Sequence, residues 1–217
     1  MIIYLIACGT SAIEDGWNKN GLNTIKDGYV SAYSIDTDQG LVLIDAGGTK
    51  EAKSIESSLQ DQGKSINDVL HIFLTHAHTD HVAGLPVFSN AQTYAMSEEH
   101  DRIEEEQELE VLHTLEDGLT IDLGDIQILP LFVPGHTPGN AVYLINEILV
   151  MGDTAMATDK GEIKPSPSFF NEDQEMSEQA IADLYERIVD EALDVSWIVF
   201  SHSGPIEGTD ALERYRP

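Results

Sequence analysis

The stretch "FLTHAHTDHVAGL", residues 73–85, decides how this chain reads. Three of the chain's eight histidines and one aspartate fall within six residues, between an apolar run and a glycine. The apolar side, "VLHIFLT" at residues 69–75, has the length and composition of a buried strand, so the cluster sits where a strand exits. From the composition, a chance His-x-His-x-Asp-His anywhere in the chain has a probability of roughly one in a thousand.

The same placement recurs along the chain. Asp45 ends "GLVLIDAG", His136 lies in "VPGHTPGN" after a third apolar run, Asp153 follows "EILVMG", and His202 follows "VSWIVF". Loops carried on strand ends are rigid platforms for sites. Imidazole and carboxylate are the donor set of zinc, and of iron and manganese at related sites. Two ions side by side need about six such donors. His76, His78, Asp80, His81, His136, Asp153 and His202 supply them, and Asp45 is left as a supporting group. His71, His100 and His113 read as surface or packing histidines.

Around these positions, residues 29–36 and 40–47 read as a hairpin, and Thr49 as the cap of a helix with Ile55 and Leu59 on its inner face. Ser97 starts an acidic helix expected to reach about Thr114. Residues 126–133 are a strand, and a further hairpin turns around Asn146. Residues 154–176 read as polar and turn-forming, and Ser177 as the cap of a helix with Ile181, Leu184 and Ile188 in one stripe. "MIIYLIACGTSA" reads as a first strand. Two strand-rich halves with one-faced helices suggest two packed sheets with helices outside, in a single domain over residues 1–217. The hairpins count against a doubly wound parallel sheet.

The bulk numbers bound the partners. With 39 acidic and 11 basic residues the formal net charge is −28, which repels nucleic acid and anionic lipid and suits a salt-rich environment. The single cysteine, Cys8, excludes a disulfide within the chain and a cysteine metal cluster. No segment approaches transmembrane length, so the expectation is a soluble, cytoplasmic protein with a small-molecule substrate and no nucleic-acid or membrane partner. Oligomerisation is not legible.

With "HAHTDH", "LIDAG", "VPGHTPGN" and "SHSGP" in place, the chain resembles the metallo-beta-lactamase superfamily over nearly its whole length. That resemblance implies an α/β fold, a four-layered αββα sandwich with metals at one edge of the sheets. It implies that His76, His78 and His136 hold one ion, that Asp80, His81 and His202 hold the second, and that Asp153 bridges. Two Zn2+ per chain are then expected, with iron or manganese as alternatives. "VPGHTPGN" looks like the glyoxalase II-like branch, which also contains lactonases and persulfide dioxygenases. Two departures stand out. Only 15 residues follow His202, where glyoxalase II carries a longer basic C-terminal portion, and Met156 occupies the place of a lactonase tyrosine.

The reaction expected is attack of a hydroxide, held between the metals, on a small ester, thioester or lactone, with Asp80 orienting it. A mononuclear iron persulfide dioxygenase using His76, His136 and Asp153 is the alternative enzyme, and a metal-binding protein without turnover the alternative class. Residues 11–28 with Trp17, and residues 154–176 with Phe169 and Phe170, are the segments expected to overhang the cleft.

Overall fold

The computed structural model describes residues 12–216. The expected first strand and Cys8 lie outside the described residues, apart from the strand's last residue, Ala12. Among the described residues one sheet has the order β1 (Asn18–Lys19), β2 (Leu22–Asp27), β3 (Val30–Thr37), β4 (Gly40–Ile44), β5 (Val69–Phe73), β6 (Gln92–Met96), β7 (His113–Leu115). Its first four strands are antiparallel and β4 to β7 run parallel. The second sheet comprises β8 (Ile121–Asp122), β9 (Gln127–Phe132), β10 (Ala141–Ile145), β11 (Ile148–Val150), β14 (Trp197–Val199) and β15 (Ile206–Glu207), in the order β15-β14-β11-β10-β9-β8. β11 and β14 are parallel, and the other pairs are antiparallel. A small hairpin, β12 (Ala155–Ala157) with β13 (Ile163–Pro165), stands apart.

The layers follow from alternation along the strands. In β4, Val42 and Ile44 point to one face and Leu41 and Leu43 to the other, as a period of two requires. Val42 and Ile44 join Tyr33, Phe73, Ile128, Tyr143, Val150 and Val199 in the layer between the sheets. Leu41 and Leu43 pack outward against Ile55 and Leu59 of α1 (Lys53–Asp61) and Ile103 of α3 (Ser97–Gln107). On the far side, Leu149, Met151, Ile198 and Phe200 receive Ile181, Leu184 and Ile188 of α4 (Gln174–Asp190). The result is the expected αββα sandwich. Burying one such aliphatic side chain is worth about 1.5–3 kcal/mol, so each of the three apolar layers contributes to holding the sandwich together.

Several local expectations are corrected. Thr49 does not cap α1: the cap position is Ala52, and the Thr49 hydroxyl donates instead to Asp27. The acidic helix stops at Gln107 because Glu108 turns left-handed and residues 113–115 pair with β6. Asp173, not Ser177, caps α4, its carboxylate accepting from the Met176 N–H at 2.9 Å. Residues 154–176 contain the β12–β13 hairpin and are not all loop. No helix among the described residues is long and apolar enough to cross a membrane.

Candidate metal centre

Parallel strands bring the candidate residues to one end of the sandwich. Asp45 follows β4 and the "HAHTDH" segment follows its parallel neighbour β5, the last residues lying in the short helix α2 (Thr79–Val82). β9 and β11 flank β10 antiparallel and so point the same way, as does β14, which delivers His136, Asp153 and His202 to a common rim. The two sheets are tied together there. The Ala141 N–H donates to the Thr75 carbonyl at 2.9 Å, the Tyr33 hydroxyl to the Phe200 carbonyl at 2.7 Å, and the Tyr143 hydroxyl to the Leu74 carbonyl.

All seven predicted residues come together. His76 Nε2, His78 Nδ1 and His136 Nε2 lie 3.0–3.2 Å from one another. His202 Nε2 is 3.3 Å from Asp80 Oδ2 and 3.1 Å from Asp153 Oδ2. His81 Nε2 is 3.4 Å from Asp153 Oδ1, and His136 Nε2 is 3.7 Å from Asp153 Oδ2. Asp153 therefore stands between the three-histidine group and the Asp80–His81–His202 group. Three sets of donors lie close enough to share an ion: His76, His78, His136; His76, His81, Asp153; and Asp80, His81, His202.

The donor chemistry fits a cation. A tetrahedral ion with Zn–N distances of 2.0–2.1 Å sets its nitrogens about 3.3 Å apart, close to the spacing of the three histidines. His81 Nε2 and Asp153 Oδ1 are buried 3.4 Å apart, and neither makes an aligned hydrogen bond, an arrangement that a cation between them would satisfy. The outward nitrogens are meanwhile occupied. His81 Nδ1 lies 2.7 Å from Asp45 Oδ2, His136 Nδ1 is 2.9 Å from Asn171 Oδ1, and His76 Nδ1 is 2.9 Å from the Thr75 hydroxyl. Such contacts fix the orientation of the imidazole rings and turn the inner nitrogen toward the centre, where it would be the ligating atom.

Charge splits the site into two halves. Burial, reinforced by the neighbouring histidines, pushes His76 well below the usual histidine range, and burial lowers His78 and His136 as well. That half is biased toward the neutral form. Burial also opposes charge on His81 and His202, but Asp153 outweighs it at both, with Asp45 at the first and Asp80 at the second. His81 is raised well above its ordinary value and His202 to about 10. Burial works against ionised Asp153 and Asp80 too, yet His202 and His81 hold both below the usual carboxylate range.

The sequence reading missed several contributors. Thr75 gives its N–H and hydroxyl to Asp45, at 2.8 Å and 2.9 Å, linking that aspartate to the histidine segment. Asp45 itself has φ 63°, a left-handed conformation that aspartate tolerates better than most residues. Tyr29, in the turn between β2 and β3, stacks on the His202 ring at 5.6 Å, and its backbone carbonyl is 3.0 Å from His202 Nδ1. "KDGY" signals a turn, but nothing local says that it ends over a histidine 173 residues away. The loop expectations divide accordingly. Trp17 packs edge-on against Trp197, which starts β14 at the end away from His202, because residues 18–19 and 22–27 pair as strands and do not overhang the rim. Phe169 and Phe170 are exposed and pack on each other at 4.2 Å, between Ser166, which donates to the Asp153 carbonyl, and Asn171.

Comparison with known proteins agrees with this geometry. Residues 25–202 match the family model of the metallo-beta-lactamase superfamily. A hydroxyacylglutathione hydrolase of Shewanella sp. (strain ANA-3) is 28% identical over 150 residues, covering 65% of this chain and 53% of that protein. Another, from Gloeobacter violaceus, is 32% identical over 148 residues, covering 65% and 54%. The chain thus spans about half the length of the curated relatives it matches. Among solved structures, a B3 metallo-beta-lactamase with an active-site glutamic acid aligns with a TM-score of 0.71 at 18% identity, over 99% of this chain and 90% of its own. The BJP-1 enzyme of Bradyrhizobium japonicum aligns at 0.68 and 20% identity, over 90% and 80%. Fold, rim and family match together make this chain a member of the metallo-beta-lactamase superfamily.

Proposed function

We propose that the chain is a metal-dependent hydrolase of small esters, thioesters or lactones, with His76, His78 and His136 holding one ion, Asp80, His81 and His202 a second, and Asp153 shared between them. The observation that carries this is the position of Asp153, one oxygen toward His81 and the other toward His136 and His202. Zinc is the favoured ion because the donors are nitrogen and oxygen at tetrahedral spacing. A relative 37% identical over 86 residues, from Bacillus subtilis, is also named a probable polyketide biosynthesis zinc-dependent hydrolase. The thioester arm of the proposal rests on the hydroxyacylglutathione hydrolases.

When bound, such a pair of ions polarises a carbonyl and makes water acidic enough to attack it at neutral pH. The chain's own residues set the stage. Asp80 is the more exposed of the two central carboxylates and is held ionised by His202 and His81 against its burial. One of its oxygens accepts a hydrogen bond from an entering water and orients it. Tyr29 covers the outer face of His202 and presents an exposed phenol to whatever binds at the rim. The Asp80–His81–His202 set argues against the mononuclear iron reading, which leaves those three without a task.

Elemental analysis of the purified chain, joined to a panel of thioesters, esters and lactones, tests the proposal. Two ions per chain and turnover on the panel are expected. In His136→Ala the metal content falls while the fold persists, because the apolar layers are untouched. An unchanged two-ion content in that variant refutes the ligand assignment.

A further inference from the structure

Glu99 is the one acidic residue of α3 that is fully buried; Glu98, Asp101, Glu105 and Glu106 are exposed and Glu104 is half-buried. Its two oxygens reach two different loops. Oε2 accepts the Ala77 N–H at 2.8 Å, and Oε1 accepts the Gly139 N–H at 2.6 Å. Ala77 lies between His76 and His78, and Gly139 is three residues after His136. One carboxylate therefore joins the two segments that carry the three-histidine group, one from each sheet. The fit is close: a Cβ on Gly139 would lie 2.7 Å from Glu99 Cγ, so only glycine lets the loop backbone approach the carboxylate.

A second connection runs one turn further along α3. Arg102 pairs with Glu172, whose N–H donates to the His136 carbonyl at 3.1 Å. That pair is exposed on both sides, so water and salt weaken it. Glu99 has no such competition.

We infer that Glu99 is a positioning residue that sets the mutual spacing of His76, His78 and His136, and through it the affinity and geometry of that half of the centre for a metal ion. The inference rests on the two-ion reading above. Its physical basis is that a carboxylate is acceptor-only and satisfies both N–H groups at once. An amide cannot, since one of its arms is a donor and meets a donor. Removing a group that holds ligands in place costs about 10- to 100-fold in metal affinity.

The experiment titrates the full chain, stripped of metal, with Zn2+ against a chromophoric chelator, and with Co2+ followed by its visible spectrum. The step belonging to the three-histidine half is the one lost in His78→Ala. In Glu99→Gln that step weakens about 10- to 100-fold and its Co2+ spectrum changes, while the other step moves less than about threefold. Arg102→Ala, as the comparison, weakens it less than about fivefold. If Glu99→Gln fails to fold, Glu99→Asp keeps the charge but is too short to span both N–H groups, and it is read the same way. A wild-type chain that takes up no Zn2+ overturns the two-ion reading and this inference with it. A wild-type chain that binds while Glu99→Gln binds as tightly, with an unchanged spectrum, overturns the role of Glu99 alone. So does failure of both Glu99 variants to fold, since the carboxylate then serves the fold and not the site.

Discussion

Asp45→Asn is the substitution whose effect follows most directly from hydrogen-bond counting. Asp45 is buried and accepts from three donors: the Thr75 N–H at 2.8 Å, the Thr75 hydroxyl at 2.9 Å, and His81 Nδ1 at 2.7 Å. Asparagine has the same shape and tolerates the left-handed backbone, so the main chain is not strained. It has one acceptor oxygen, however, and its amide group must face either the Thr75 N–H or His81. Facing His81, it forces the ring into the tautomer with its proton on Nε2, the atom aimed at Asp153. The lone pair needed for a metal is then gone. Losing a hydrogen bond to a charged partner costs about 1.5–3 kcal/mol. For a chain of this size each kcal/mol moves Tm by about 2–4 °C, so the metal-free variant should melt about 3–12 °C lower. Metal affinity at the Asp80–His81–His202 half should fall about 10- to 100-fold, with the three-histidine half little changed. Calorimetry of the stripped chain and chelator competition measure the two effects. Wild-type affinity at both halves, with an unshifted melt, would show that Asp45 does not set the state of His81.

Other perturbations give sharper contrasts. In the metal-free chain, charged His202 is stabilised by Asp153 and Asp80, with its pKa raised from 6.5 to about 10. That contribution is complete below pH 6.5 and disappears as pH rises through 10, whereas a metal-loaded chain holds neutral histidines and lacks this decline. Melts from pH 6.5 to 10 with and without Zn2+ decide the matter, and parallel curves refute it. Gly135→Ala should cost at least about 2 kcal/mol, because Gly135 has φ 125° and an added Cβ would overlap the Ser177 backbone at the start of α4. A melt within 2 °C of wild type would contradict that. Tyr29→Phe keeps the stack on His202 and should leave metal affinity unchanged, while Tyr29→Ala should weaken the second half about two- to tenfold, the equivalent of one aromatic contact. Equal behaviour of the two variants in chelator competition would remove the stack from the account.

The candidate donors that the fold gathers at the rim were legible because each sits at the polar end of an apolar run, a pattern written locally in the chain. The strands and the inner faces of α1 and α4 were legible for the same reason, since Ile55 and Leu59, or Ile181, Leu184 and Ile188, repeat at helical spacing. The missed features depend on distant partners. Glu99 is one of several acidic residues in α3 and is set apart by the histidine segments that fold over it. Tyr29 and Thr75 have ordinary local contexts and acquire their roles through His202 and Asp45. The caps misread at Thr49 and Ser177 show the same limit. Both hydroxyl residues suit a helix start, but Thr49 turns to Asp27, and Asp173 takes the capping place four residues before Ser177. Tertiary competition for a side chain decides such cases.

The rim draws its donors from both sheets: His76, His78, Asp80 and His81 from the first, His136, Asp153 and His202 from the second. A cation gripped from both sides, as proposed, would act as a rivet across the seam, and its occupancy would gauge how firmly the halves are joined. Slippage of the sheets by a fraction of an ångström would loosen the grip before either sheet unravels. Two fragments cut between β7 and β8 should therefore reassemble more tightly with Zn2+ than without it.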